Sequence, residues 1–204
     1  YAVSATRAQQ QRVHFTVPAS ISDGSASMAM SLSDDFKSVA FLQSSYAAAT
    51  EVHAGALGHT PPPAVTSFNA ALKPAWGKAE SVEWNNEGFH VQGWLLYPAH
   101  YDPNKTYPMI VVVHGGPASA VVPRWPGVGY GGAPLAALGY FVFMPNPRGS
   151  FGQGEKYVQA NRKDFGYGDL RDILAGIDAV EKKVPVDDQR LGLTGWSYGG
   201  FMSM

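Results

Sequence analysis

The hexapeptide Gly195-Trp196-Ser197-Tyr198-Gly199-Gly200, reached through the strand-like run 190–194, leaves the backbone few options. A glycine on either side of a serine at this spacing fits a tight turn between a strand and a helix, where neighbouring Cβ atoms would collide and the backbone is strained. Such a turn lifts the serine hydroxyl clear of the sheet. Ser197 is therefore the candidate nucleophile, with Gly195 and Gly199 making room for it. The confirming context is a strand before, a helix after, and a loop on an earlier strand that turns backbone N–H groups toward a developing negative charge.

That earlier strand is legible in residues 108–113, a short apolar run rich in β-branched residues, as expected for a strand covered on both faces of a parallel sheet. It runs directly into His114-Gly115-Gly116-Pro117. The paired glycines resemble the oxyanion loop of lipases and esterases, and the backbone amides of Gly116 and Tyr198 are the candidate donors. His114 and Gly115 are read as support for that loop.

Between the two motifs, residues 140–144 read as another buried strand ending in the loop 145–154. A helix follows. Asp169 is expected to cap it, and Leu170, Ile173, Leu174, Ile177 and Val180 recur at three- and four-residue steps as one apolar stripe facing the sheet. Asp169 and Asp172 suit the positive end of its dipole and read as structural, and Arg148 as a structural loop arginine. The order of strand, helix, strand, helix, strand and elbow gives an α/β class with an α/β-hydrolase fold, cut after the nucleophile elbow.

Three segments together now resemble one family. His114 to Pro117, then Asn146-Pro147-Arg148-Gly149-Ser150 with the Gly152-Gln153-Gly154 that follows, then Gly195 to Gly200, are similar in order and spacing to the prolyl oligopeptidase family of serine peptidases. Residues 80–98 resemble the hairpin leading into that family's hydrolase domain. His114 stands where the dipeptidyl-peptidase and prolyl-oligopeptidase branches usually carry Tyr, so the chain looks more like the acylaminoacyl-peptidase branch, with the backbone left to hold the oxyanion. The resemblance implies hydrolysis of short peptides through a serine, an aspartate and a histidine in that order, with no cofactor and no metal.

Only the serine can be placed. After the elbow the sequence holds neither Asp nor His, and His14, His53, His59, His90, His100 and His114 all precede it. The expectation is a fragment, with an unpaired sheet edge beside the nucleophile strand and with Phe201 and Met202 poorly packed. Ahead of it, residues 11–17, 26–32, 37–43 and 51–54 are short candidate strands of an all-β segment. By the resemblance, residues 1–72 are the C-terminal part of a β-propeller-like domain, 73–79 a crossover linker, and 80–204 the N-terminal part of the catalytic domain. Trp125 and Tyr130 are weighed as part of a substrate mouth.

Composition excludes more than it identifies. A net charge of −1 makes no electrostatic case for nucleic acid, and the absence of cysteine removes disulfides and thiol nucleophiles. No run approaches a membrane span. The compartment stays open between cytoplasm and periplasm or exterior, as does the oligomeric state. The motifs alone also allow a carboxylesterase of the same fold, or a non-catalytic interaction module.

Overall fold

The structure, a computed structural model, describes residues 2–3, 10–11, 19–22, 30–58, 60–127 and 131–204. The chain divides into two compact units, one of residues 1–74 with 123–125 and the other of residues 75–122 with 126–204.

In the first unit, β1 (Ala2–Val3) pairs antiparallel with β2 (Gln10–Gln11). A second sheet is built on β5 (Ser38–Ser44), which pairs antiparallel with β3 (Ser20–Ser22), β4 (Ser31–Leu32) and β6 (Glu51–Ala56). Alternation along β5 buries Val39 and Phe41, and Phe41 stacks on His53 with ring centroids 5.7 Å apart. Most of the strands expected over 11–17 and 26–32 lies outside the described residues, as do His14, His59 and Tyr130. The strands expected over 37–43 and 51–54 are β5 and β6. Ser20–Ser22 had no strand pattern of its own and pairs because β5 offers it an edge.

The second unit is a five-stranded mixed sheet in the order β11-β9-β10-β8-β7. Strands β7 (Ala79–Asn86) and β8 (Phe89–Leu96) form an antiparallel hairpin. Glu87 and Gly88 both take positive φ, 47° and 80°, as the two-residue turn matching strand twist requires. Strand β10 (Phe141–Asn146) runs antiparallel to β8 and parallel to β9 (Tyr107–Val113). Strand β11 (Val186–Gly195) runs parallel to β9 and forms the sheet's edge among the described residues, with Leu191 43% and Leu193 50% exposed. Parallel strands covered on both faces need continuous apolar sequence, and β9 and β10 supply it: Met109, Phe141, Val142 and Phe143 have no accessible surface.

Among the described residues four helices complete the unit, α1 (Ala133–Ala137), α2 (Glu155–Gln159), α3 (Gly168–Glu181) and α4 (Tyr198–Met202). The longest, α3, differs from expectation in two ways. Its cap residue is Tyr167, with no side-chain cap bond, and Asp169 sits inside the first turn. Ile173 and Val180 of the expected stripe are buried and Ile177 packs against the core, but Leu170 and Leu174 line an open groove with Leu191 and Leu193 of β11, and Asp169, Asp172 and Gly176 are buried as well. Leu170 and Leu174 stay 38% and 52% exposed. The buried aspartates have a physical cause: both have hydrogen-bond partners, described below, and an unpaired carboxylate could not be turned inward.

The hairpin is tied to the C-terminal end of α3 by charge. Lys183 Nζ lies 2.6 Å from Glu80 Oε1, and Tyr97 Oη and Lys78 Nζ approach Oε2 at 2.9 and 3.2 Å. Lys183 foremost, then Tyr97 and Lys78, hold the Glu80 carboxyl down at about 2 against desolvation. A carboxylate depressed in the fold contributes stability above its unfolded pKa and loses it as pH falls through the folded value. With the side chain 28% exposed, solvent screening keeps the contribution near about 1 kcal/mol. Stability should therefore drop between pH about 4.5 and about 2, and Glu80→Gln should flatten that limb of an acid titration followed by circular dichroism. Superimposable titrations would exclude the link.

Candidate active site

Because β9 and β11 run parallel, with Gly195 opposite Val113, the loops that leave their C-terminal ends emerge side by side. His114 to Pro117 leaves one strand and Trp196-Ser197 the other. Ser197 has φ 55° and ψ −116°, a conformation in which L-residues are strained, and it is exposed. The flanking glycines are dictated by contact. A Cβ on Gly195 would lie 2.1 Å from the Gly199 carbonyl oxygen, and one on Gly199 would lie 1.9 Å from the Val113 oxygen and 3.1 Å from that of His114. Gly115 backs onto the serine: a Cβ there would stand 3.3 Å from Ser197 Cβ.

Gly199→Ala should therefore push α4 off the end of β9. Overpacking of this kind costs about 1–3 kcal/mol, and the displaced turn should take Ser197 reactivity with it. Thermal unfolding together with fluorophosphonate labelling reads both, and a variant matching the parent in each would show that the close approach is not needed.

His114 is held on both ring nitrogens. Nδ1 lies 2.6 Å from the Gly115 carbonyl oxygen and Nε2 2.9 Å from Ser150 Oγ. Burial holds the imidazole below the usual histidine range, opposed by the Gly115 carbonyl. A carbonyl can only accept, so Nδ1 carries the proton, and in the neutral ring Nε2 accepts from the Ser150 hydroxyl. Neither nitrogen is left to take a proton from Ser197. The 146–151 loop grips the oxyanion-side loop at two further points. Asn146 accepts the Val121 amide at 2.7 Å and returns a bond to the Val121 carbonyl at 3.0 Å, and the Phe151 amide donates to Ser119 O at 2.8 Å.

Arg148 does not face solvent. It is 5% exposed, and Asp172, with no accessible surface, receives its Nε at 2.8 Å, its Nη2 at 2.7 Å and its backbone N–H at 2.9 Å. Glu87 lies 2.9 Å from Nη1, and the guanidinium covers the Phe89 ring at 4.8 Å. The hydrogen bonds to Asp172 raise its pKa further above the ordinary arginine range. This arginine is structural, and it fastens the 146–151 loop to α3.

Tyr198, directly after the serine, reaches α3 as well. Its hydroxyl donates to Asp169 Oδ2, and its ring packs edge-on against Phe165 at 5.3 Å and beside Phe201 at 5.6 Å. As the first residue of α4, its backbone N–H has no intrahelical acceptor. Met202 packs against the core and Phe201 is half exposed, so the last turn is better held than its length suggests. Trp196 stands 69% exposed beside the serine. Trp125 belongs to the first unit, where its amide donates to Ser44 Oγ at 3.1 Å.

The structure thus brings Gly115, Gly195, Ser197 and Gly199 into contact at one end of the sheet, with His114 and Gly116 on the adjoining loop. Sequence reasoning missed the parts played by Ser150, Asn146 and Asp169. Their partners lie 36, 25 and 29 positions away, and no local pattern marks them. Among the described residues no group of three His, Asp or Glu side chains could hold a metal ion, and no helix is long and apolar enough to cross a membrane.

Comparison with known proteins gives a consistent result. The Bacillus subtilis protein described as uncharacterized peptidase YuxL is 41% identical over 132 residues, 61% of this chain and 19% of that protein. Dipeptidyl-peptidase 5 of Porphyromonas gingivalis is 36% identical over 115 residues, 56% of this chain and 17% of that protein. The acylaminoacyl peptidase of Pyrococcus horikoshii superposes with a TM-score of 0.74 at 25% identity, covering 86% of this chain and 28% of that structure. An acylaminoacyl peptidase solved with Z-Gly-Gly-Phe-chloromethyl ketone superposes at 0.73 and 26% identity, with the same coverage. The chain spans under a fifth of the length of these curated relatives. The Prolyl oligopeptidase family matches residues 130–204, the stretch from just before α1 to the end of α4. Through those residues the chain is similar to members of the prolyl oligopeptidase family.

Proposed function

We propose that the chain carries the nucleophile half of a serine peptidase acting on short peptides, with Ser197 as the attacking residue. The observation that carries this reading is the backbone of Ser197, held exposed at φ 55° in a turn that only glycines at 195 and 199 permit. A conformation that costs free energy persists where surrounding contacts enforce it, and such residues cluster at reactive sites. Relatives named as peptidases supply the reaction class.

In the proposed reaction Ser197 Oγ attacks the substrate carbonyl, and the amides of Gly116 and Tyr198 receive the negative charge that forms on its oxygen. The amine leaves, and water releases the acyl group from Ser197. Preorganised backbone donors suit this step because they need no reorientation as charge develops. His114 shapes the loop and has no part in proton transfer. The family resemblance implies a histidine base and an aspartate that orients it, and none of the residues that follow Ser197 here is Asp or His. No cofactor is required. Residues 1–72 are read as β-propeller-like, 73–79 as the crossover and 80–204 as the start of the hydrolase domain.

An aminoacyl p-nitroanilide and its matched ester separate peptidase from esterase. The full-length protein should turn over both at comparable rates. Turnover of the ester alone would move the assignment to a carboxylesterase, and turnover of neither would leave the interaction module.

A further inference from the structure

The buried carboxylate of Asp169 is not explained by the fold. It has no accessible surface, lies in the first turn of α3 without serving as its cap, and has no cationic partner among the described residues. Burying a carboxylate is costly unless its hydrogen bonds are made. One oxygen, Oδ1, accepts the neighbouring Leu170 amide at 2.9 Å, and the other accepts the hydroxyl of Tyr198. The Tyr198 hydroxyl is also faced by Asn161, 3% exposed, and by the Gly166 backbone. Polar groups of α3 and the loop before it therefore converge on one phenol oxygen.

Tyr198 is the residue whose amide is assigned to the oxyanion. Helix α4 has only five residues and few bonds of its own, so the direction of that amide depends on what anchors the turn. On one side Gly199 abuts the end of β9. On the other, the phenol hydroxyl donates to Asp169 of α3. We propose that Asp169 is a positioning residue for the oxyanion site, clamping Tyr198 through its hydroxyl so that the Tyr198 amide is aimed beside Ser197. The proposal rests on the peptidase reading above and deepens it. Asp169 touches neither substrate nor nucleophile, and acts by limiting the rotation of the turn. A misplacement of about 1 Å at a reacting centre can cost about 10²-fold in rate, and a loosened clamp should cost part of that.

The test uses the full-length protein, with an aminoacyl p-nitroanilide for kcat and KM and a fluorophosphonate for the rate of Ser197 modification. Tyr198→Phe removes the hydroxyl and keeps the amide, and it should lower kcat about tenfold with KM within about twofold. Asp169→Ala should do the same, and the double variant Asp169→Ala/Tyr198→Phe should be no slower than either single one, because both remove one link. Asp169→Asn keeps a carbonyl oxygen able to accept the phenol hydrogen and should stay within about threefold of the parent. A merely structural role predicts otherwise: kcat per folded molecule unchanged, or losses that multiply in the double variant. Either would overturn the proposal, as would a loss confined to KM. If the parent itself is unlabelled at Ser197 and inert, the peptidase reading fails first, and that outcome is distinct from parental activity with indifferent variants.

Discussion

Ser197→Ala should lower kcat/KM for peptide hydrolysis by the full-length protein by about four to six orders of magnitude, leaving KM little changed. The size follows from the role: without its hydroxyl the enzyme can form no acyl intermediate, and what remains is the oxyanion site and substrate binding. Stability should stay within about 0.5 kcal/mol. Ser197 is exposed, its side chain makes no hydrogen bond among the described residues, and alanine meets the same strain at φ 55° that serine does. Steady-state kinetics with thermal unfolding on the same preparation separates lost chemistry from lost fold. A variant retaining a tenth of the parental rate would remove Ser197 from the mechanism.

The second large effect lies in the core. Asp172 accepts three bonds from Arg148 and one from Asn86 Nδ2 at 2.8 Å, while its backbone carbonyl receives Trp84 Nε1 at 2.9 Å. Asp172→Ala leaves the Arg148 guanidinium buried with Glu87 as its remaining carboxylate, and Glu87 is 40% solvent-accessible. Removing one partner of a buried pair costs about 3–5 kcal/mol, because the desolvation of the other is no longer compensated. The urea midpoint should fall accordingly with its slope unchanged. The pair itself is not a large net stabiliser, so Arg148→Met/Asp172→Leu should recover most of the loss. A single variant within about 1 kcal/mol of the parent would show that water reaches the guanidinium and that the 146–151 loop is not fixed by this contact.

The elements most legible in the sequence were those whose cause is local. The apolar β-branched residues of β9 and the Gly-x-Ser-x-Gly turn after β11 each follow from the residues they contain, while the hairpin of β7 and β8 was expected from the family resemblance alone. The failures share a different physics. On α3 the hydrophobic period placed Ile173, Ile177 and Val180 correctly but did not foresee that Asp169 and Asp172 are buried beside them, where partners on Tyr198 and Arg148 offset the desolvation of two carboxylates. Periodicity counts apolar residues and is blind to a paired charge. The Ser150–His114 bond was equally hidden, since both residues were visible in their motifs and nothing in either motif announced the other. The loops about Ser197 were thus readable one at a time, and the contacts that lock them together needed coordinates.

The most direct test is titration of the full-length protein with a fluorophosphonate, followed by mass spectrometry of the peptide containing Ser197. The account predicts one adduct per chain, on Ser197, with peptide hydrolysis falling in step with labelling. Hydrolysis that survives complete modification of Ser197, or an adduct on another residue accompanied by loss of activity, would contradict it.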